Sequence, residues 1–225
     1  MKRIFLYVLF LSIVNLPAFS DSITVLGGYV MPEGKSDVFQ QNELETTFEV
    51  DDLNDFGVYV GYDHFLGNFV NLAVGVSYYQ SDTDVVDRDF EFPNGDPIAR
   101  NISLEIIPLE AGLRFLPAGR EAPVIPYVGG GAGVYVWQYE EIGDFVINRN
   151  SNFSAITGRS FSDGADFGWH VEGGIQIPVS RSATITAEAK YFGAEGDLDE
   201  RSFDPLFEPL DLSATMFSAG VSFWF

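Results

Sequence analysis

His170-Val171-Glu172 sets an imidazole and a carboxylate two residues apart, so in a strand both side chains leave by the same face. That pairing is raw material for acid–base or hydrolytic chemistry. A serine hydrolase would also need a nucleophile within reach, yet no Ser stands two residues beyond His170, and no G-x-S-x-G occurs. His64 lies near a turn and lacks a neighbouring nucleophile, so the residues around both histidines argue for structural roles. The remaining titratable side chains on alternating strand positions are Asp63, Glu105, Glu110, Arg114, Glu188 and Lys190. Together with His170 and Glu172 they would share one enclosed face, where charges must pair or stay hydrated. The expectation is an internal salt-bridge and hydrogen-bond network standing in for a hydrophobic core. Asp82-Thr-Asp84, Asp87-Arg-Asp89 and Asp197-Leu-Asp199-Glu200 carry alternate carboxylates, but none completes a calcium-loop spacing. With 0 Cys there is no thiolate chemistry or disulfide framework, and no metal or cofactor is expected.

The elements that would position these groups are strands. Residues 212–225 place Phe217, Ala219, Val221, Phe223 and Phe225 on one face, with Ser218, Gly220 and Ser222 on the other. Further strands are predicted near 23–31, 56–64, 71–78, 101–115, 125–138, 167–178 and 183–192. Their connections alternate between tight turns, such as Leu66-Gly67-Asn68 and Ser180-Arg181-Ser182, and long acidic segments near 32–55, 81–97, 139–166 and 193–211. In the fourth strand the apolar set shifts from Ile102, Leu104 and Ile106 to Leu109, Ala111, Leu113 and Phe115, which predicts a bulge at Pro108. Eight strands joined alternately by short and long connections predict an all-β, eight-stranded, antiparallel up-and-down barrel.

The apolar face must then point outward. The opposite face mixes small residues with charges, and an eight-stranded barrel has only room for its own side chains inside. Tyr78, Tyr79, Phe115, Tyr127, Trp137, Tyr139, Trp169, Tyr191, Trp224 and Phe225 are expected in interfacial aromatic girdles. At the N-terminus, Met1-Lys2-Arg3, an apolar run and Ala18-Phe19-Ser20 form a predicted signal peptide over 1–20, followed by one barrel domain over 21–225. The formal net charge is −21, and loss of Lys2 and Arg3 takes it to −23, so no nucleic acid partner is expected.

The C-terminal strand ending in Phe-Trp-Phe, and the shared pattern of Leu109–Phe115, Val171–Ile177 and Phe217–Phe223, resemble the small bacterial outer-membrane barrels of the OmpA/OmpX/OmpW type. That resemblance implies a cell outer membrane location, with short turns in the periplasm and long loops outside. It implies that Phe217, Val221, Phe223 and Phe225 form the signal read by the barrel-assembly machinery. Outer-membrane lipid and lipopolysaccharide are expected partners, together with a surface ligand or small solute. The resemblance implies a structural or surface-interaction role, and the lack of a nucleophile near His170 leads to the expectation of no enzyme activity. OmpW-like relatives suggest instead a narrow passage for small or hydrophobic solutes. Two further alternatives stay open: a lipid A-modifying barrel enzyme using His170, and a soluble lipocalin-like binder if the apolar face turned inward.

Overall fold

A computed structural model describes residues 21–149 and 152–225; the predicted signal peptide lies outside the described residues. Nine strands form, β1 (Ser22–Pro32), β2 (Asp55–Phe65), β3 (Val70–Glu91), β4 (Pro97–Phe115), β5 (Ile125–Arg149), β6 (Asn152–Pro178), β7 (Ala183–Gly196), β8 (Leu210–Asp211) and β9 (Ala214–Trp224). Helix α1 (Asp37–Glu45) and a 3-10 turn (Val50–Leu53) interrupt the first long connection. Each of β1 to β7 pairs antiparallel with its successor, and β9 pairs with both β7 and β1, so eight strands close a ring. The two-residue β8 only pins the last long connection against β7.

The register fixes the shape. Stepping across the pairs from Ser22 leads through Asp63, Ala73, Gly112, Gly131, His170, Phe192 and Ala214 to Pro32. One circuit therefore returns ten residues further up β1, from Ser22 to Pro32. Such a stagger over eight strands requires a tilt of about 40° and leaves an interior that side chains can fill.

Around the outside, Val76, Leu109, Val134 and Phe167 are register partners, and one step higher Ile107, Val136 and Ala165 are. All of these face outward in an apolar belt that includes Val25, Val58, Leu113, Ile185 and Val221. The next outward row is Gln80, Glu105, Gln138 and Asp163, again register partners on β3 to β6. This polar row is the upper limit of the greasy wall. Above it β3 to β6 keep going, with β5 and β6 paired as far as Arg149 and Asn152. The segments expected to be loops at 81–97 and 139–166 are therefore mostly strand, a four-stranded sheet standing clear of the belt.

Strand β4 crosses that limit without a break. Its pairing with β5 runs continuously from Arg100 to Phe115, so the expected bulge at Pro108 is absent. Ile102, Leu104 and Ile106 point inward and are fully buried. The phase of the apolar pattern changes because the surroundings change. Below the polar row lipid lies outside, and above it water does, so greasy side chains move to the inner face.

Candidate functional site

The barrel interior is occupied at three levels. At the periplasmic end Phe65, Leu116, Ile125 and Tyr127 form a small apolar floor, against which Trp224 packs. Phe65 and Trp224 have ring centroids 5.6 Å apart.

Above the floor sits the charged layer, centred on Arg114 from β4. Its Nη1 lies 3.0 Å from Asp63 Oδ1, and its Nη2 donates to Glu172 and Glu188, each at 3.0 Å. Register explains how it reaches so far: Gly129 of β5 lies between Arg114 and Glu172 in the pairing. A Cβ on Gly129 would sit 2.9 Å from Glu172 Oε1 and 3.0 Å from Arg114 Cγ, so a side chain there would obstruct the crossing. Tyr127 donates to Glu188 at 2.7 Å and lies under the guanidinium, whose carbon is 5.1 Å from the ring centroid. Lys190 Nζ lies 2.8 Å from Glu110 Oε2 and 4.3 Å from the centre of the Tyr59 ring. Tyr135 donates to Glu110 at 2.6 Å, and His170 Nδ1 is 3.4 Å from the same carboxylate. Four carboxylates thus surround two fixed cations, with tyrosine hydroxyls supplying further donors. Each of these charged side chains is under a tenth exposed, so every lost partner would strand a buried charge.

The structure brings together Asp63, Glu110, Arg114, His170, Glu172, Glu188 and Lys190 of the residues singled out from sequence. Glu105 does not join them. It belongs to the outer polar row, partly exposed, where the Tyr78 hydroxyl lies 3.4 Å from it. The phase change expected at Pro108 is what assigned Glu105 to the inner face; β4 keeps one phase throughout, its inward positions are even-numbered, and Glu105 therefore points outward. Phe217, Val221, Phe223 and Phe225 all face outward and are 40% exposed or more. The aromatic girdle also needs correction. Tyr78, Phe115, Trp169 and Phe225 face outward, whereas Tyr79, Tyr127, Trp137 and Tyr139 are buried inside. For Tyr127 and Trp137 the inward position goes with glycines across the sheet. Tyr127 occupies the space over Gly174, and Trp137 that over Gly164 and Gly196, where a Cβ would collide.

Sequence reasoning missed the third level, which closes the outer mouth. Val38 and Phe39 of α1, with Phe48, Leu53, Leu210 and Leu212, pack against Ile102, Leu104, Trp137 and Tyr139 from the inner face of the projecting sheet. Asn42 fastens the helix: its Nδ2 donates to Tyr139 Oη at 3.1 Å and to Glu141 Oε1 at 2.8 Å, and its Oδ1 accepts from Arg100. The arrangement is a small soluble-type core set on top of a membrane barrel. Chemically, the charged layer can hold the strands in register. Among the described residues, His170 has no hydrogen-bonded hydroxyl that would act as a nucleophile.

An all-β ring with a greasy outer wall and a charged, filled interior is the architecture of a transmembrane barrel. A family model, the outer membrane protein beta-barrel domain, matches residues 7–225. The chain belongs to this family. It resides in the outer membrane, and a water-soluble barrel with the apolar face inward is excluded by the same outward belt. Among solved structures, the outer membrane protein OprG of Pseudomonas aeruginosa is similar, at 12% identity and a TM-score of 0.56, covering 92% of this chain and 96% of that one. Neisserial surface protein A matches with 13% identity and a TM-score of 0.52, covering 92% of this chain and 100% of that one. These likenesses concern the fold. No curated protein sequence matches the chain.

Proposed function

We propose that the barrel is an envelope anchor that presents an interaction surface outside the cell, and is neither a solute passage nor an enzyme. The observation that carries this reading is the pairing of a filled lumen with a folded cap on a sheet that rises beyond the lipid belt. A passage needs an unobstructed lumen, whereas here the floor, the charged layer and the cap lie in series. The cap is also where the charge is concentrated. Residues 33–55, 80–105, 138–166 and 195–211 hold eight, seven, five and seven acidic residues, against six basic ones in all. A surface of that sign attracts cationic partners and repels anionic ones at long range. Divalent cations bridging the cap to lipopolysaccharide, and recognition of the outward Phe217, Val221, Phe223 and Phe225 by the assembly machinery, belong to the same reading.

The test combines two measurements on protein refolded into vesicles. Planar-bilayer conductance is expected to be silent for the parent and to stay silent in Glu188→Gln and Lys190→Met. Binding of a cationic peptide is expected to weaken steeply with salt. Steady single-channel currents that change with Lys190→Met would replace this reading by the solute passage.

A further inference from the structure

At the periplasmic rim two turns are tied together beside the lipid belt. Leu116 N donates to Phe69 O at 2.8 Å, and Arg120 N to Asn68 O at 3.0 Å. Between the turns lies a pocket of about 460 Å³, lined by His64, Phe65, Leu66, Arg120 and Glu121 among others. Its volume falls within the range of small-ligand sites.

Three charged or titratable side chains line it, and each is held or left open in a particular way. His64 Nδ1 is 2.9 Å from Asp21 Oδ1, and the same carboxylate accepts the Tyr62 hydroxyl. The ring is thereby oriented, and Nε2 is the nitrogen left for a ligand. Arg120 lies over Phe65, its guanidinium carbon 5.3 Å from the ring centroid. Among the described residues neither Arg120 nor Glu121 forms an ion pair, with each other or with any other side chain. A cation and a carboxylate that line one pocket without pairing offer opposite charges to a third party. Beside them, Leu66 and Phe69 are 59% and 49% exposed, an apolar path from the pocket toward the belt.

We propose that this pocket binds the zwitterionic headgroup of a phospholipid in the periplasmic leaflet. The phosphate lies between Arg120 and His64, and the ammonium at the end of its two-carbon link meets Glu121. The acyl chains leave along Leu66 and Phe69. Arginine suits the phosphate because its planar fork offers parallel donors. The ligand chemistry is phosphoethanolamine, and the apolar path distinguishes a lipid from the free headgroup.

The experiment uses the full barrel refolded in an uncharged sugar detergent and titrated with short-chain phosphatidylethanolamine, with retained lipid counted by native mass spectrometry. One lipid per barrel is expected. Loss of a charge-assisted contact in Arg120→Gln should weaken retention about tenfold. Glu121→Gln should abolish the preference for phosphatidylethanolamine over phosphatidylglycerol, and Arg181→Gln at the opposite turn should change nothing. Heat-shifted gel mobility verifies folding of each variant, and the surface position of Glu121 provides a second reading if Arg120→Gln fails to fold. Unchanged retention in folded Arg120→Gln overturns the proposal. Binding of free phosphoethanolamine or inorganic phosphate as tight as that of the lipid would overturn the lipid assignment.

Discussion

Below the row of Gln80, Glu105, Gln138 and Asp163, the wall is greasy and the interior is held by ions. Above it, the same strands β3 to β6 carry polar residues outside and a hydrophobic core within. The two halves solve one problem, covering a sheet on both faces, in opposite solvents. In lipid, outward apolar side chains gain nothing from association with one another, so the interior must supply specificity through paired charges. In water, burial of Phe39, Phe48, Leu53 and Ile102 supplies stability in the ordinary way. The contrast teaches that an ion network and a hydrophobic core can be stacked in one chain where the surrounding medium changes.

The comparison is most severely tested at Arg114. Arg114→Met leaves Asp63, Glu172 and Glu188 facing one another without their shared cation. A loss of about 3–5 kcal/mol is expected, spread over the whole barrel, read from the urea midpoint of tryptophan fluorescence in vesicles. A loss under about 1 kcal/mol would show that the charged layer adds little to barrel stability.

Phe39→Ala should cost about 3 kcal/mol, but in the cap alone. Limited proteolysis is then expected to cut within 33–54 while the heat-shifted gel mobility of the barrel survives. Simultaneous loss of both would show the two halves to be one cooperative unit. The outer face offers a paired test. Val74→Arg, within the belt, should cost about 2–4 kcal/mol, and Gln138→Arg, on the polar row, no more than about 1 kcal/mol. Similar costs at both sites would move the lipid boundary. Smallest of all, Glu105→Gln should change the unfolding midpoint by less than about 0.5 kcal/mol, since it removes only a partly exposed charge.

Most of the barrel is legible in the sequence because lipid imposes alternation on every strand it touches. Leu72, Val74 and Val76 against Asn71, Ala73 and Gly75 can be assigned to faces without any structure. The charged layer is legible for the same reason, since Glu110, Arg114, Glu172, Glu188 and Lys190 fall on the face that lipid forbids. The cap is not. Asp82 and Asp84 read as loop residues because an outward strand position in water carries no apolar signature. Ile102, Leu104 and Ile106 read as an outward face because the pattern inverts where the solvent does. Trp137 and Tyr139 look like interfacial aromatics; Trp137 turns inward over Gly164 and Gly196, and Tyr139 turns inward to meet Asn42 and Glu141. Arg100, Glu141 and Asn42 meet only once α1 has folded back over the mouth, a tertiary fact with no local period.

The seam between β1 and β9 sets the terms on which the ring comes into being. Thr24 and Ser222 donate and accept across it at 2.7 Å although 198 residues separate them in the chain. Every other strand pairing of the ring joins neighbours in chain order, but the last junction waits for residues 214–224. Until then two strand edges carry unmet N–H and C=O groups that a hydrocarbon interior cannot satisfy. A chain lacking this one strand would keep both edges open, so closure of the ring in the membrane rests on residues 214–224.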